Sequence, residues 1–555
     1  MSGPKTGGGG ALSTWQQNEM VSPIEADEPQ VSDALLGVES QTYALPEDRK
    51  IGVGGAMFLI FNKVIGTGIF STPSAIFAAT GSVGMSLVLW LVGAIIALCG
   101  MSVFLEFGLA IPLSGGTKNY VERVYRRPRY LASCLVAAHA VLLGFSSANA
   151  LSFGRYVLRA SSGSTSDGWQ ARSIAIAVVT FAVCLHSIFP KGGVRLINLL
   201  GVCKVVVLIF IICAGFAALA GHRRVPDPHN FDHAFTPTHG GGGAYEYSKA
   251  LLMVIYSYSG WEGATYVMGE MKRPGKTLAV AAPCAIGSVA VLYVLANVAY
   301  FAAIPRDQLE HSEVLVADFF FRSMFGDQAA ARVLPLLVAL SNLGNILAAS
   351  FAYSRMTQEM AKEGLLPFSR ILASNKPFNA PTASVCVPRR MRRRPGADGG
   401  QFFLHWLLTV IVLVAPPAGP AYTLIINISS YANAWINTLV VVGLLWLQLR
   451  KSEKWTSPWH TYLVVSAIFL AANLFLIVVP FMPPRDGRKE GEYPYYIYPS
   501  VGLGTLMLAA VYWAIWRKLI PYISGRELVS ERSFDEDGVE VVRYRKMAVT
   551  RRRRG

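Results

Sequence analysis

The sequence predicts an all-α polytopic membrane protein of twelve transmembrane helices, on three observations. The 555-residue chain is 53% hydrophobic and only 15% charged, too apolar for an ordinary soluble protein. Its apolar residues come in runs, such as 84–105, 197–220 and 497–516, and about 20 helical residues suffice to cross a hydrocarbon layer ~30 Å thick. Amphipathic periodicity within these runs is weak, so every side of each helix must face lipid or another helix.

In chain order the spans read as 53–79, 84–111, 131–158, 172–189, 197–220, 248–271, 278–303, 333–360, 402–417, 420–447, 459–482 and 497–516. The formal charge of +16 would suggest nucleic acid in a soluble protein, but here its placement points to topology instead. Alternate loops are basic: Lys118, Arg123, Arg126, Arg127 and Arg129; Lys191 and Arg195; Lys272, Arg273 and Lys276; Arg355 to Lys376; Arg450, Lys451 and Lys454. The excess of positive charge on the cytoplasmic side puts both termini there and requires an even number of spans.

Residues 1–50, polar and rich in glycine and acid, read as a disordered cytoplasmic tail. Residues 51–517 form the helical domain, and 518–555 a cytoplasmic tail with four arginines, 551–554, before Gly555. No signal peptide is visible, so the first span serves as its own insertion signal. Lys5 and Lys50 offer ubiquitin-ligase adaptors acceptor sites. Residues 221–247, rich in His, Pro and Gly, read as a solvated outside loop without metal-ligand spacing. Six cysteines (99, 134, 184, 203, 213 and 284) fall in or beside spans, and Cys386 falls in a cytoplasmic loop. No structural disulfide is expected.

The first and sixth spans are each interrupted by glycine near the middle, at Ile65-Gly66-Thr67-Gly68-Ile69 and at Ser257-Tyr258-Ser259-Gly260-Trp261. They lie five spans apart, as an inverted repeat of five helices would place them. Paired interruptions of this kind are the best pointer in a sequence to a transport site, because irregular backbone at membrane depth survives only where it is buried or lines a cavity. The half-helix starting near Gly68 aims its amides and positive dipole end into the break, which suits a carboxylate. The carbonyls left at Ile65, Tyr256 and Ser257 suit an ammonium. The two breaks together can clamp both ends of an α-amino acid with backbone alone.

At these residues the sequence resembles the amino acid–polyamine–organocation superfamily, its L-type amino acid transporter branch and, more narrowly, the fungal high-affinity methionine permeases. The shared motifs are Val64-Ile65-Gly66-Thr67-Gly68-Ile69-Phe70 with Thr72-Pro73; Glu106 followed by Ile111-Pro112-Leu113-Ser114-Gly115-Gly116; Gly260-Trp261-Glu262 with Glu270-Met271-Lys272-Arg273-Pro274; and Ala361-Lys362-Glu363-Gly364-Leu365-Leu366-Pro367. The narrower likeness rests on Asn375-Lys376-Pro377-Phe378-Asn379-Ala380-Pro381 and on Ala415-Pro416-Pro417 leading to Ser429-Ser430-Tyr431. The resemblance implies a LeuT-like fold, two intertwined five-helix inverted repeats with broken helices 1 and 6, plus two extra helices. It places the substrate carboxylate at Thr67 and Gly68 and the amino group near Val64, Ile65 and the Tyr256 carbonyl, with Tyr256 as a gating aromatic. Gly66, Ser257, Ser259 and Gly260 complete the expected substrate-binding set.

Charged residues deep in a span are costly, at ~2.5–3.5 kcal/mol at a helix centre on insertion scales. Lys204 stands in the fifth span, where sodium-independent relatives carry a lysine at the place sodium occupies in others. It either exchanges a proton there or snorkels to the interface. Glu262, just past the second break, is a candidate carrier of the coupled proton. Lys63, just before the first break, either pairs with Glu262 or faces a vestibule. Glu106, Glu270 and Arg155 lie nearer span ends and read as structural. The substrate pocket for a methionine side chain is expected to be apolar.

The function these features imply is secondary active import of neutral amino acids, methionine first and cysteine second, by proton symport and alternating access across the plasma membrane. The expected partners are the amino acid, protons and the bilayer. The competing classes are a nutrient receptor that does not transport and an exchanger of broader range. An exchanger linked by disulfide to a single-span heavy chain would need a cysteine between the third and fourth spans, and residues 159–171 contain none. No nucleophile–base pair, metal pattern or nucleotide loop marks an enzyme, and neither cofactor nor nucleic acid is implied. One stretch, about 385–401, fits its surroundings poorly. Val-Cys can be encoded by a GTATGT donor site and Gln401 by a terminal CAG, so the segment reads as a retained intron or, failing that, as an inserted basic cytoplasmic loop.

Overall fold

The computed structural model describes residues 51–162, 168–222, 226–237, 243–310, 316–326, 333–372, 400–415, 421–483, 494–524, 526–534 and 540–548. The N-terminal tail, most of the suspected intron and the Asn375–Pro381 motif lie outside them. The helices in order are α1 (Val53–Val64), α2 (Thr67–Thr80), α3 (Val83–Ala110), α4 (Thr117–Val124), α5 (Leu131–Leu142), α6 (Ser147–Ser162), α7 (Trp169–Ile188), α8 (Pro190–Leu219), α9 (Ala244–Tyr258), α10 (Gly263–Tyr266), α11 (Pro274–Ala303), α12 (Arg306–Glu310), α13 (Val316–Phe325), α14 (Val333–Lys362), α15 (Ser369–Leu372), α16 (Gly400–Val414), α17 (Ala421–Leu449), α18 (Leu463–Val478), α19 (Ile497–Ala514) and α20 (Ile520–Ser524).

Among the described residues ten helical stretches are long and apolar enough to cross a membrane, counting α1 with α2 and α5 with α6 as one stretch each. Of the twelve runs read from the sequence, the sixth (α9) and ninth (α16) are the two left out, each being a helix of 15 residues. Pro190 and Pro274 open α8 and α11 in the first turn, where a missing N–H costs nothing. Large apolar side chains such as Leu199, Val206, Val464 and Met507 are exposed, the pattern of helices whose outer faces meet hydrocarbon rather than water.

Three features depart from the sequence reading. The third span is not continuous: Leu143 to Ser146 leave the helix between α5 and α6. That gap is held by α16, where Thr409 Oγ1 accepts from the Ser146 amide at 3.4 Å, His405 Nε2 meets Ser146 Oγ at 3.1 Å, and Ser147 Oγ donates to the Thr409 carbonyl at 3.2 Å. Residues 226–237 are not simply a solvated loop, since Asn230 is buried and donates to the carbonyls of Phe301 (2.7 Å) and Ile304 (2.8 Å), which caps the end of α11. Finally, the tail after the helical domain carries a hairpin: Arg526–Phe534 (β1) and Glu540–Ala548 (β2) pair antiparallel, from Arg526 opposite Ala548 to Phe534 opposite Glu540.

The core packs behind the breaks. Trp90 of α3 meets the rings of Tyr258 (5.8 Å between centroids) and Tyr293 (5.7 Å) edge-on, which joins α3, α9 and α11. Glu106, buried near the end of α3, accepts from Gln448 Nε2 (2.9 Å to Oε2), Trp455 Nε1 (2.8 Å) and the Thr461 amide (2.7 Å). It thereby clasps the segment between α17 and α18. Arg123 and Arg126 hold Glu453 of the same segment at 3.1 and 2.8 Å.

Candidate functional site

The first break begins where α1 ends at Val64. Ile65 is extended (φ −73°, ψ 99°) and Gly66 is non-helical, so peptide groups around them lose their helical partners. Buried groups of this kind must find partners elsewhere, and four other helices supply them. Asn149 Oδ1 of α6 accepts from the Thr67 amide at 3.0 Å, and Asn345 Nδ2 of α14 donates to the Lys63 carbonyl at 2.5 Å. Tyr293 Oη of α11 donates to the Val64 carbonyl at 2.9 Å. Lys204 Nζ of α8 donates to the Asn62 carbonyl at 3.1 Å and, by a shorter bond, to the Ile65 carbonyl.

The second break follows Tyr258. Ser259 is extended, and Gly260 takes φ +116°, a left-handed value that favours glycine. Its amide donates to Glu262 Oε2 at 2.9 Å, while the Ser259 amide and hydroxyl turn back to the Tyr256 carbonyl at 3.1 and 2.7 Å. The two breaks touch. A Cβ placed on Gly68 would lie 2.7 Å from Ser257 Cα, and one placed on Gly260 would lie 2.5 Å from Lys63 Cγ.

Between them opens a cleft. Of the residues assigned from the sequence, Val64, Gly66, Thr67, Gly68, Tyr256, Ser259, Gly260 and Glu262 line it. Ile65 and Ser257 lie behind the lining. The Ile65 carbonyl faces Lys204, and Ser257 Oγ bonds the Met253 carbonyl (2.8 Å) and Thr72 Oγ1 (3.0 Å). The picture of bare carbonyls waiting for an ammonium is therefore corrected: those of Val64, Ile65 and Tyr256 already accept bonds from protein donors. Lys204 does not reach for the interface. Its side chain is fully buried and points at the first break. Lys63 lines the cleft, its Nζ 4.2 Å from the centre of the Tyr353 ring and its charge facing that of Glu262.

Sequence reasoning missed Asn149, Asn345 and Tyr293, and it did not foresee the polar side of the cleft, to which α17 contributes Ser429, Ser430, Asn433 and Asn437. The available signal was the amides themselves, since an asparagine within an apolar span is costly unless bonded. Among the described residues no three His, Cys, Asp or Glu gather as metal ligands.

The profile of the family described as "Amino acid permease" matches residues 51–506. The chain is 35% identical over 540 residues to the high-affinity methionine permease of Saccharomyces cerevisiae, covering 96% of this chain and 90% of that one. It is 29% identical over 519 residues to the low-affinity methionine permease of the same yeast, covering 92% and 90%. It is 30% identical over 441 residues to the Asc-type amino acid transporter 1 of Mus musculus, covering 78% and 77%.

Proposed function

The chain belongs to the amino acid permease family, and from that premise we propose that it imports methionine, with cysteine as a second substrate, by proton symport across the plasma membrane. The observation that carries the reading is the meeting of the two helix breaks at one cleft, which brings the start of α2 and the turn after α9 to the same small molecule. The substrate carboxylate takes the amides at Thr67 and Gly68, where the α2 dipole is positive. Because the carbonyls of Val64, Ile65 and Tyr256 are occupied, the substrate ammonium is left to the Ser259 hydroxyl and the Glu262 carboxylate.

In this reading all twelve runs cross the bilayer, α9 with α10 and α16 included. Ten of them form two inverted five-helix repeats, and both tails face the cytoplasm, as the basic loops require. Glu262 in the cleft and Lys204 behind it are the groups that exchange the coupled proton. The energy suffices: a proton moving through 100 mV releases about 2.3 kcal/mol, and one pH unit adds about 1.4 kcal/mol. Together these sustain accumulation of several hundredfold.

The test is uptake by a permease-deficient yeast, with competition by Met, Cys, Leu and Lys at two external pH values. Methionine uptake is expected to rise as external pH falls and to ignore sodium. A flat pH response would remove the coupling, and indifference to methionine would remove the substrate.

A further inference from the structure

Nearly every polar group freed by the two breaks has a partner within the protein, so cleft residues that lack one stand out. Among the described residues two fully buried side-chain atoms do: His139 Nε2 and Ser430 Oγ make no hydrogen bond, and both residues line the cleft. Orphaned buried polar atoms are rare in folded proteins and cost stability unless something completes them. At a cavity wall a bound molecule is in place to complete one.

The two atoms come from different helices held against each other. His139 sits one turn before the interruption of the third span, and its carbonyl accepts from the Leu143 amide at 2.9 Å. The Leu143 carbonyl in turn accepts from Ser429 Oγ of α17 at 3.5 Å, the residue next to Ser430. The irregular backbone at Leu143–Ser146 thus ties the α5 end carrying His139 to the stretch of α17 carrying Ser430. The same two segments also give the cleft Leu143, Phe145, Ile425 and Ile426, beside the amides of Asn433 and Asn437. Apolar lining with two unpaired polar atoms suits a side chain that is mainly hydrocarbon with one heteroatom.

We propose that His139 and Ser430 form a side-chain subsite that reads a single heteroatom in a neutral side chain, which in methionine is the thioether sulfur. The proposal rests on the permease reading above and adds what distinguishes substrates there. A serine hydroxyl rotates to donate, and a neutral imidazole presents either a donor or an acceptor at Nε2 according to its tautomer. Both can therefore serve a sulfur, which accepts weakly. A methylene in the same place would leave both atoms unpaired.

Norleucine replaces that sulfur by a methylene with little change of shape, so it isolates the effect. The full-length chain in proteoliposomes is assayed for inhibition of labelled methionine counterflow by methionine and by norleucine. The wild type is expected to favour methionine by about three- to tenfold. His139→Leu and Ser430→Ala each narrow that ratio, and the double variant abolishes it, while norleucine inhibits all forms alike. Equal inhibition in the wild type, or variants that weaken both amino acids equally, would overturn the subsite. If His139→Leu does not reach the membrane, Ser430→Ala, which removes only a hydroxyl, decides alone. If methionine does not exchange at all, the substrate reading falls. The subsite is then judged on asparagine against leucine in the same variants, with exchange of a labelled amino acid that the chain does carry.

Discussion

Lys204 of α8 places its ammonium between the main-chain oxygens of Asn62 and Ile65, across a buried gap in the first broken helix. The protein's own side chain therefore fills the space in front of those two carbonyls. Replacing Lys204 by Met keeps the length and removes the donor. The orphaned carbonyls each forfeit a charge-assisted bond of ~1.5–3 kcal/mol, so a fall in thermal unfolding temperature in detergent and a loss of methionine uptake are expected. Arginine should not rescue, because the space is already tight: a Cβ on Gly344 would lie 3.2 Å from Lys204 Cε. Unchanged thermal stability in Lys204→Met would refute the contact.

Gly68 lies against the backbone of Ser257, and backbone cannot step aside as a side chain can. Gly68→Ala is expected to separate the two breaks and abolish uptake, at a stability cost of ~1–3 kcal/mol. Trimming the neighbour should not help: Ser257→Ala removes Oγ but leaves Cα in place, so the double variant stays inactive. Recovered uptake in that double variant would count against backbone contact as the constraint.

Asn149 accepts from the Thr67 amide at 3.0 Å and holds the start of α2 in place. Asn149→Ala should raise the KM for methionine by about tenfold, the equivalent of one lost bond. Asn149→Asp keeps an acceptor at that position and should restore much of the affinity. Initial-rate uptake at graded methionine concentrations separates the two, and equal KM values for alanine and aspartate would exclude the role.

Lys118 of α4 is bonded to both Glu122 (2.5 Å) and Glu363, the residue following α14. One ammonium cannot neutralise two carboxylates. Burial, with Glu122 adding to it and Lys118 opposing it, pushes Glu363 up to about 7 from its ordinary 4.5. The folded protein thus holds this proton more tightly than the unfolded chain. Glu363's contribution to stability should fall as pH rises from about 4.5 to about 7 and stay level above that, by ~1 kcal/mol per pH unit or less given its partial exposure. Subtracting the unfolding temperature of Glu363→Gln from that of the wild type at each pH isolates this term, and a difference independent of pH would exclude it.

The spans were legible because hydrocarbon thickness imposes a length that composition alone reveals. The two breaks were legible because Gly66, Gly68 and Gly260 stand within otherwise continuous apolar runs. What fills those breaks was not. Lys204 and Tyr293 reach the first break from 139 and 229 residues away, and no local pattern records such partners. The carbonyls of Val64 and Ile65 therefore looked free when other helices already held them. The gap at Leu143–Ser146 was invisible for the same reason: only Gly144 marks it in the sequence, and its support comes from Thr409, 263 residues on. The hairpin after α20 is hidden for a different cause: 526–548 is rich in charged residues, and the valines of its two strands, Val529 and the adjacent Val541 and Val542, set up no alternation at the strand period.

The carboxylate of Glu106 bears on how such a molecule can rearrange. Its oxygens accept from Gln448, Trp455 and Thr461, and its carbonyl accepts from Ser457. Releasing any one of the carboxylate's attachments forfeits a charge-assisted bond of ~1.5–3 kcal/mol, so the end of α3, the strap from 450 to 462 and the head of α18 travel as one piece. Whatever hinge admits or discharges cargo has to bend outside this clasp.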